Sequence, residues 1–179
     1  RHHRVIKLPA VADAGPAAAA ATKPPTIPFL LLLPIRLPIV YFEHPLIKRQ
    51  CVQQRDYQVE LARRASRSST LLVLPTGLGK TVVAAMVIAQ VLQSKGGKVL
   101  FLAPTRPLVE QHYRTMQNMI EGKRIGMMTG EVDPLERELA FLENDIIAST
   151  PQVVSNDLKN GRLDLKDVKL IIFDEAHRA

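Results

Sequence analysis

TLLVLPTGLGKT, residues 70–81, is the stretch that decides the fold. Leu71, Leu72, Val73 and Leu74 form a short apolar run stopped by Pro75, the pattern of a strand buried on both faces. Thr76-Gly77-Leu78-Gly79-Lys80-Thr81 follows, and Val82 to Leu92 is apolar almost all round, as in a buried helix. Strand, glycine loop and helix in that order make a phosphate cradle. Gly77 and Gly79 allow backbone angles that a side chain forbids, so the loop from Pro75 to Thr81 can turn successive N–H groups onto one anion. The helix start adds its partial positive charge at the same place. Lys80 is then set to reach the β- and γ-phosphates of a nucleotide, and the Thr81 hydroxyl to ligate Mg²⁺. One departure stands out: the usual pattern opens on Gly, and here that position is Leu74.

A second apolar run, Leu170-Ile171-Ile172-Phe173, leads into Asp174-Glu175-Ala176-His177. An acid at the C-terminal tip of a buried parallel strand lies where open α/β sheets bind ligands. Asp174 is placed to hold Mg²⁺ through water, and Glu175 to act as general base on the attacking water. Alone, these residues could be a polar loop. Paired with the glycine loop, they point to a nucleoside triphosphatase site.

Composition sets the bounds. A chain of 179 residues holds one domain with a sizeable core. The net charge of +7 is uneven: residues 1–50 carry seven Lys/Arg against two Asp/Glu, and residues 51–179 carry 17 against 15. Charge by itself therefore does not argue for nucleic acid. Cys51 is the only cysteine, which excludes an intramolecular disulfide and suits a reducing compartment. The five His have no ligand-like spacing with Cys or acid support, so no zinc site is expected.

Residues 1–42 are expected to be a disordered or non-homologous leader, because eight of the 13 Pro precede Cys51 and Ala17 to Ala21 is low-complexity. The run Phe29 to Leu33 is far short of the roughly 20 residues a membrane helix needs. From residue 43 the composition turns globular. Asp56 to Arg67 is predicted helical, with Tyr57, Leu61 and Ala65 on one face. Gln58 is either a surface helix glutamine or a side-chain amide that pairs with adenine edges. Lys98 to Ala103 is a predicted strand, and Pro107 opens a helix over Leu108 to Asn118, with Leu108, Gln111 and His112 one turn apart. Thr105 and Arg106 at its start could grip a phosphodiester, or be a capped helix with a solvated Arg. Ile125 to Thr129 and Asp145 to Ser149 read as strands, and Pro134 to Phe141 as a helix with alternating charges on its exposed face. Thr150 caps a last helix with Pro151 in its first turn and Gly161 as its stop. The β-α alternation predicts an α/β fold, a parallel sheet with helices on both faces.

RDYQ, PTGLGKT, APTRPLVEQ, TGE, TPQVV and IIFDEAHRA occur in this order. Together they resemble the first motor domain of superfamily 2 helicases, above all archaeal Hef and the Fanconi-anaemia M-type DNA translocases. The resemblance spans His44 to Ala179 and implies a RecA-like P-loop domain over residues 43–179, ending just after the DEAH strand. It implies that Gln58 belongs to an adenine-reading motif, Lys80 and Thr81 to Walker A, and Asp174 and Glu175 to Walker B. Thr105, Arg106, Thr129, Gly130, Thr150 and Pro151 fall in motifs that touch the nucleic-acid backbone. In this family the loop commonly lacks the first Gly, so Leu74 fits.

The resemblance also implies that a strand following DEAH inserts between the P-loop strand and the DEAH strand. Without it, and without a second motor domain, the chain by itself is expected to be poorly folded and not to turn over ATP. The implied parent is an ATP-dependent helicase or translocase on single-stranded or branched DNA in repair, with no membrane partner. A downstream nuclease domain and repair partners are possible additions. The alternatives are an RNA-directed helicase of the Dicer or innate-sensor type, and a non-catalytic module that binds ATP and nucleic acid.

Overall fold

The structure, a computed structural model, describes residues 4–8, 38–75 and 77–175. Thr76, Ala176 and His177 lie outside the described residues, as does most of the expected leader. The strands are β1 (Arg4–Leu8), β2 (Thr70–Leu71), β3 (Lys98–Leu102), β4 (Ile125–Met128), β5 (Ile146–Ser149) and β6 (Val168–Asp174). Among the described residues five α-helices alternate with them: α1 (Asp56–Ala65), α2 (Lys80–Lys95), α3 (Arg106–Met119), α4 (Pro134–Glu143) and α5 (Pro151–Lys159). The strands form one sheet, in the order β2-β1-β6-β3-β5-β4, and every pairing is parallel. The expected α/β class is met.

Period-two alternation divides the core between the two faces. Val99, Phe101, Leu170 and Ile172 pack against α1, α2 and Met116 of α3, whereas Leu100, Leu102, Ile147 and Ile171 pack with Phe141 of α4 and Val154 of α5. Helix α2 is buried nearly all round, from Val83 to Ala89 and again at Val91 and Leu92, as its sequence predicts. No helix among the described residues is long and apolar enough to cross a membrane.

The structure corrects several sequence expectations. Arg4–Leu8, inside the expected leader, is a strand between β2 and β6, with Ile6 opposite Thr70 and Ile172. It fills the slot expected to stand open between the P-loop strand and the DEAH strand. The globular part also starts earlier than residue 43, because Gln54 N–H donates to Val40 O and Phe42 N–H to Val52 O.

The apolar run after Thr70 is not buried on both faces: Leu72 is 4% exposed, but Leu71 is 62% and Val73 68% exposed. Strand β2 pairs only with β1 at the sheet's edge, so one of its faces packs on the helices and the other is open among the described residues. In α1 the inward face is Gln58, Ala62 and Ala65, shifted from the expected Tyr57-Leu61-Ala65 face because Tyr57 is turned to the glycine loop. Arg137 in α4 points inward, not to solvent, because buried Asp157 in α5 receives its guanidinium.

Candidate nucleotide and nucleic-acid site

An all-parallel sheet brings every strand-to-helix loop to one edge. The loop after β2, the acids ending β6, and the loops after β3, β5 and β4 therefore share the carboxyl edge. Strand order splits them: the glycine loop and Asp174-Glu175 lie on the β2-β1-β6 half, and Thr105, Thr150 and Thr129 on the neighbouring β3-β5-β4 half. In that second half Leu102 is level with Ser149, and Ser149 with Met128, so the three loops leave the sheet side by side.

The glycine loop has the expected backbone. Gly77 and Gly79 sit at φ +81° and +80°, and Gly79 is the N-cap of α2, with Val83 N–H donating to its carbonyl at 3.0 Å. Lys80 and Thr81 open the first turn, both part-buried. Two side chains of α1 hold the loop from behind. Tyr57 Oη and Gln58 Nε2 each donate to Leu78 O at 3.0 Å. A carbonyl anchored in this way is turned from the anion face, leaving N–H groups to face a phosphate. A Cβ on Gly79 would come within 2.4 Å of Gln58 Nε2 and displace that amide from Leu78 O, and the positive φ independently favours glycine. Gln58, at 3% exposed, is thus no surface glutamine, and its amide nitrogen is committed to the loop.

At the other wall, Asp174 ends β6 and Glu175 follows at φ +49°, a left-handed conformation that few non-glycine residues adopt. Asp174 Oδ2 lies 2.7 Å from His112 Nε2 of α3, and the imidazole stacks against Phe101, centroids 4.4 Å apart. His112 was readable from sequence only as a position on a helix. Its partnership with Asp174 spans 62 residues, and no local pattern marks it.

Along the β3-β5-β4 half, Arg106 is exposed and paired with two carboxylates. Its Nε donates to Glu110 at 2.8 Å and its Nη1 pairs with Glu131. Both contacts, Glu110 first, hold the guanidinium above its ordinary pKa. Thr105 is the N-cap position of α3, without a side-chain cap bond. Thr129 is buried, Gly130 exposed, and the Thr150 side chain accepts from Val153 N–H, the cap its sequence predicts, with Pro151 in the first turn. A cleft lined by Tyr41, Phe42, His44 and Gln54 lies beside the segment before α1 and touches none of these residues.

Residues 54–179 match the family model described as DEAD/DEAH box helicase. The chain belongs to the DEAD/DEAH box helicase family. It is 45% identical over 140 residues to a Methanocaldococcus jannaschii protein provisionally named an ATP-dependent RNA helicase, covering 77% of this chain and 18% of that one. It is 42% identical over 129 residues to the Fanconi anemia group M protein of Gallus gallus, covering 70% of this chain and 6% of that one. Identity to the ATP-dependent DNA helicase mph1 of Neurospora crassa is 38% over 128 residues, 70% of this chain and 11% of the relative. The crystal structure of the Pyrococcus furiosus Hef helicase domain superposes with a TM-score of 0.71 at 45% identity, covering 75% of this chain and 29% of that chain. The chain therefore spans under a fifth of the length of these curated relatives. The likeness to Hef and the Fanconi-anaemia M proteins drawn from the motifs is met, and the RecA-like fold with it.

In this helicase domain the residues that sequence reasoning missed are supports rather than ligand-facing groups. Tyr57 anchors the glycine loop, His112 the Asp174 carboxylate, and Glu131 the Arg106 guanidinium.

Proposed function

We propose that this chain is the nucleotide-binding motor domain of an ATP-dependent DNA helicase or translocase that acts on forked or branched DNA in repair. The observation that carries the proposal is the shared carboxyl edge, where the glycine loop and Asp174-Glu175 stand beside three loops that open helices. In this reading the N–H groups from Gly77 to Thr81 wrap the phosphates and Lys80 neutralises the β- and γ-oxygens. Gln58 reads adenine through the carbonyl side of its amide, since its nitrogen holds Leu78.

The donor set suits magnesium. The Thr81 hydroxyl and the Asp174 carboxylate are hard oxygens, and neither Cys nor a second carboxylate ligand is needed when phosphates and water complete the sphere. Bound Mg²⁺ would supply charge neutralisation between the phosphates. Glu175 would accept the proton of the attacking water at a carboxylate oxygen. Thr105, Arg106, Thr129, Gly130, Thr150 and Pro151 would hold a phosphodiester backbone through N–H groups, hydroxyls and one guanidinium, a grip blind to sequence and weakened by salt. Arg106 would have to exchange Glu131 for a phosphate as it binds.

DNA is favoured over RNA by the DEAH wording of the motif and by the name of the Neurospora relative. The name of the Methanocaldococcus relative supplies the competing RNA reading. The test is ATP hydrolysis by the full-length protein, titrated with forked DNA, single-stranded DNA and double-stranded RNA. Stimulation by forked DNA is expected. Stimulation by RNA alone would move the protein to the RNA-directed helicases, and no nucleotide turnover with any of the three would support a non-catalytic binding module.

A further inference from the structure

His112 is buried among Val109 and Met116 on the inner side of α3, its ring against Phe101 of β3. Its Nε2 is 2.7 Å from Asp174 Oδ2, and the Asp174 side chain is only 16% exposed. Its Nδ1 is buried with no hydrogen-bond partner among the described residues. An ionised carboxylate can only accept, so Nε2 is the donor in this bond. A buried polar atom left unpartnered carries a cost, and here it accompanies one short bond to a carboxylate at the nucleotide edge.

We propose that His112 is a positioning residue that orients the Asp174 carboxylate toward the divalent cation of a bound nucleotide. The inference rests on the reading of Asp174 as a magnesium-holding residue. The imidazole fixes one oxygen, Oδ2, by a directed N–H bond. Phe101 and the α3 packing fix the ring plane in turn, so the direction of the N–H is set by the core rather than by a mobile loop. Partners of this kind, one bond removed from the metal, typically contribute about 10- to 100-fold in metal affinity.

The test uses Mn²⁺ as the probe, its binding to the full chain in the presence of ATP read by electron paramagnetic resonance, independently of turnover. His112→Phe keeps a ring against Phe101 but removes the donor. His112→Leu runs alongside as a second donor-free variant, and His112→Gln restores an N–H at nearly the same reach. Expected are Mn²⁺ affinity weakened about 10- to 100-fold in the donor-free variants, most of it recovered in His112→Gln, and unfolding midpoints close to wild type. Unchanged Mn²⁺ affinity in a folded donor-free variant would overturn the positioning role while leaving the site intact. Absence of ATP-dependent Mn²⁺ binding in the wild type would overturn the nucleotide-site reading itself, and this inference with it.

Discussion

Asp157→Ala is expected to cost about 3–5 kcal/mol of folding stability, the usual result of stranding one member of a buried ion pair. Asp157 is 1% exposed and takes Arg137 Nε and Nη2 on its two oxygens, each at 2.7 Å, with Arg162 adding a longer contact at 3.5 Å. Alanine would leave the Arg137 guanidinium buried without a counter-charge. Set against a typical stability of about 5–15 kcal/mol, that is a large fraction. The consequence reaches the site, because Arg137 Nη1 also donates to Val132 O, and Val132 N–H donates back to Thr129 O. The pair thus pins the loop that carries Thr129 and Gly130.

The hydrogen bond from Arg137 holds the Asp157 carboxyl below its ordinary pKa. A depressed folded-state pKa gives stability that is fully present above the unfolded value, about 3.9, and lost as pH falls through the lower folded value. Urea unfolding of wild type should therefore weaken on acidification over that range. The double variant Arg137→Leu/Asp157→Leu should lack this component yet remain near wild-type stability at neutral pH, since apolar replacement of a buried pair is often neutral. An Asp157→Ala variant within about 1 kcal/mol of wild type would contradict the account of the pair.

Glu175→Gln is expected to lower ATP turnover by the full-length protein by about 10²–10⁴-fold, the range a positioned general base contributes. Binding of Mg²⁺-ATP should persist, because glutamine keeps the size and loses only the basic oxygen. Backbone strain supports the assignment: Glu175 holds φ +49° directly after the strand end, and left-handed non-glycine residues cluster at functional sites. Turnover within tenfold of wild type, measured under saturating ATP, would remove Glu175 from the chemistry.

Local chemistry made much of this legible beforehand. The apolar runs, Gly96, the Thr150 cap and the prolines that open α3, α4 and α5 each follow from short-range rules, and the corresponding elements stand within a few residues of where those rules put them. What failed was non-local. Nothing in RVIKL tells that Arg4–Leu8 will pair between strands that begin 66 and 164 residues later, since β1 borrows its place from β2 and β6. Leu71 and Val73 look as buried as Leu72 in sequence. Only the edge position of β2 separates them. Arg137 reads as one more charge on an amphipathic helix until Asp157, on another helix, turns it inward. His112 escaped for the same reason. The residues proposed to face the nucleotide carry motif spacing because backbone geometry around a phosphate demands it, whereas their supports need only reach.

The central claim is that residues 75–81 and Asp174-Glu175 make one Mg²⁺-nucleotide site. Calorimetric titration of Mg²⁺-ATP into the chain, wild type against Lys80→Ala, tests it most directly. Saturable binding that needs Mg²⁺ and weakens about 10- to 100-fold in the variant, the scale of losing one hydrogen bond to a charged group, is the expected result. Equal affinity in the two proteins, or binding indifferent to Mg²⁺, would contradict the site.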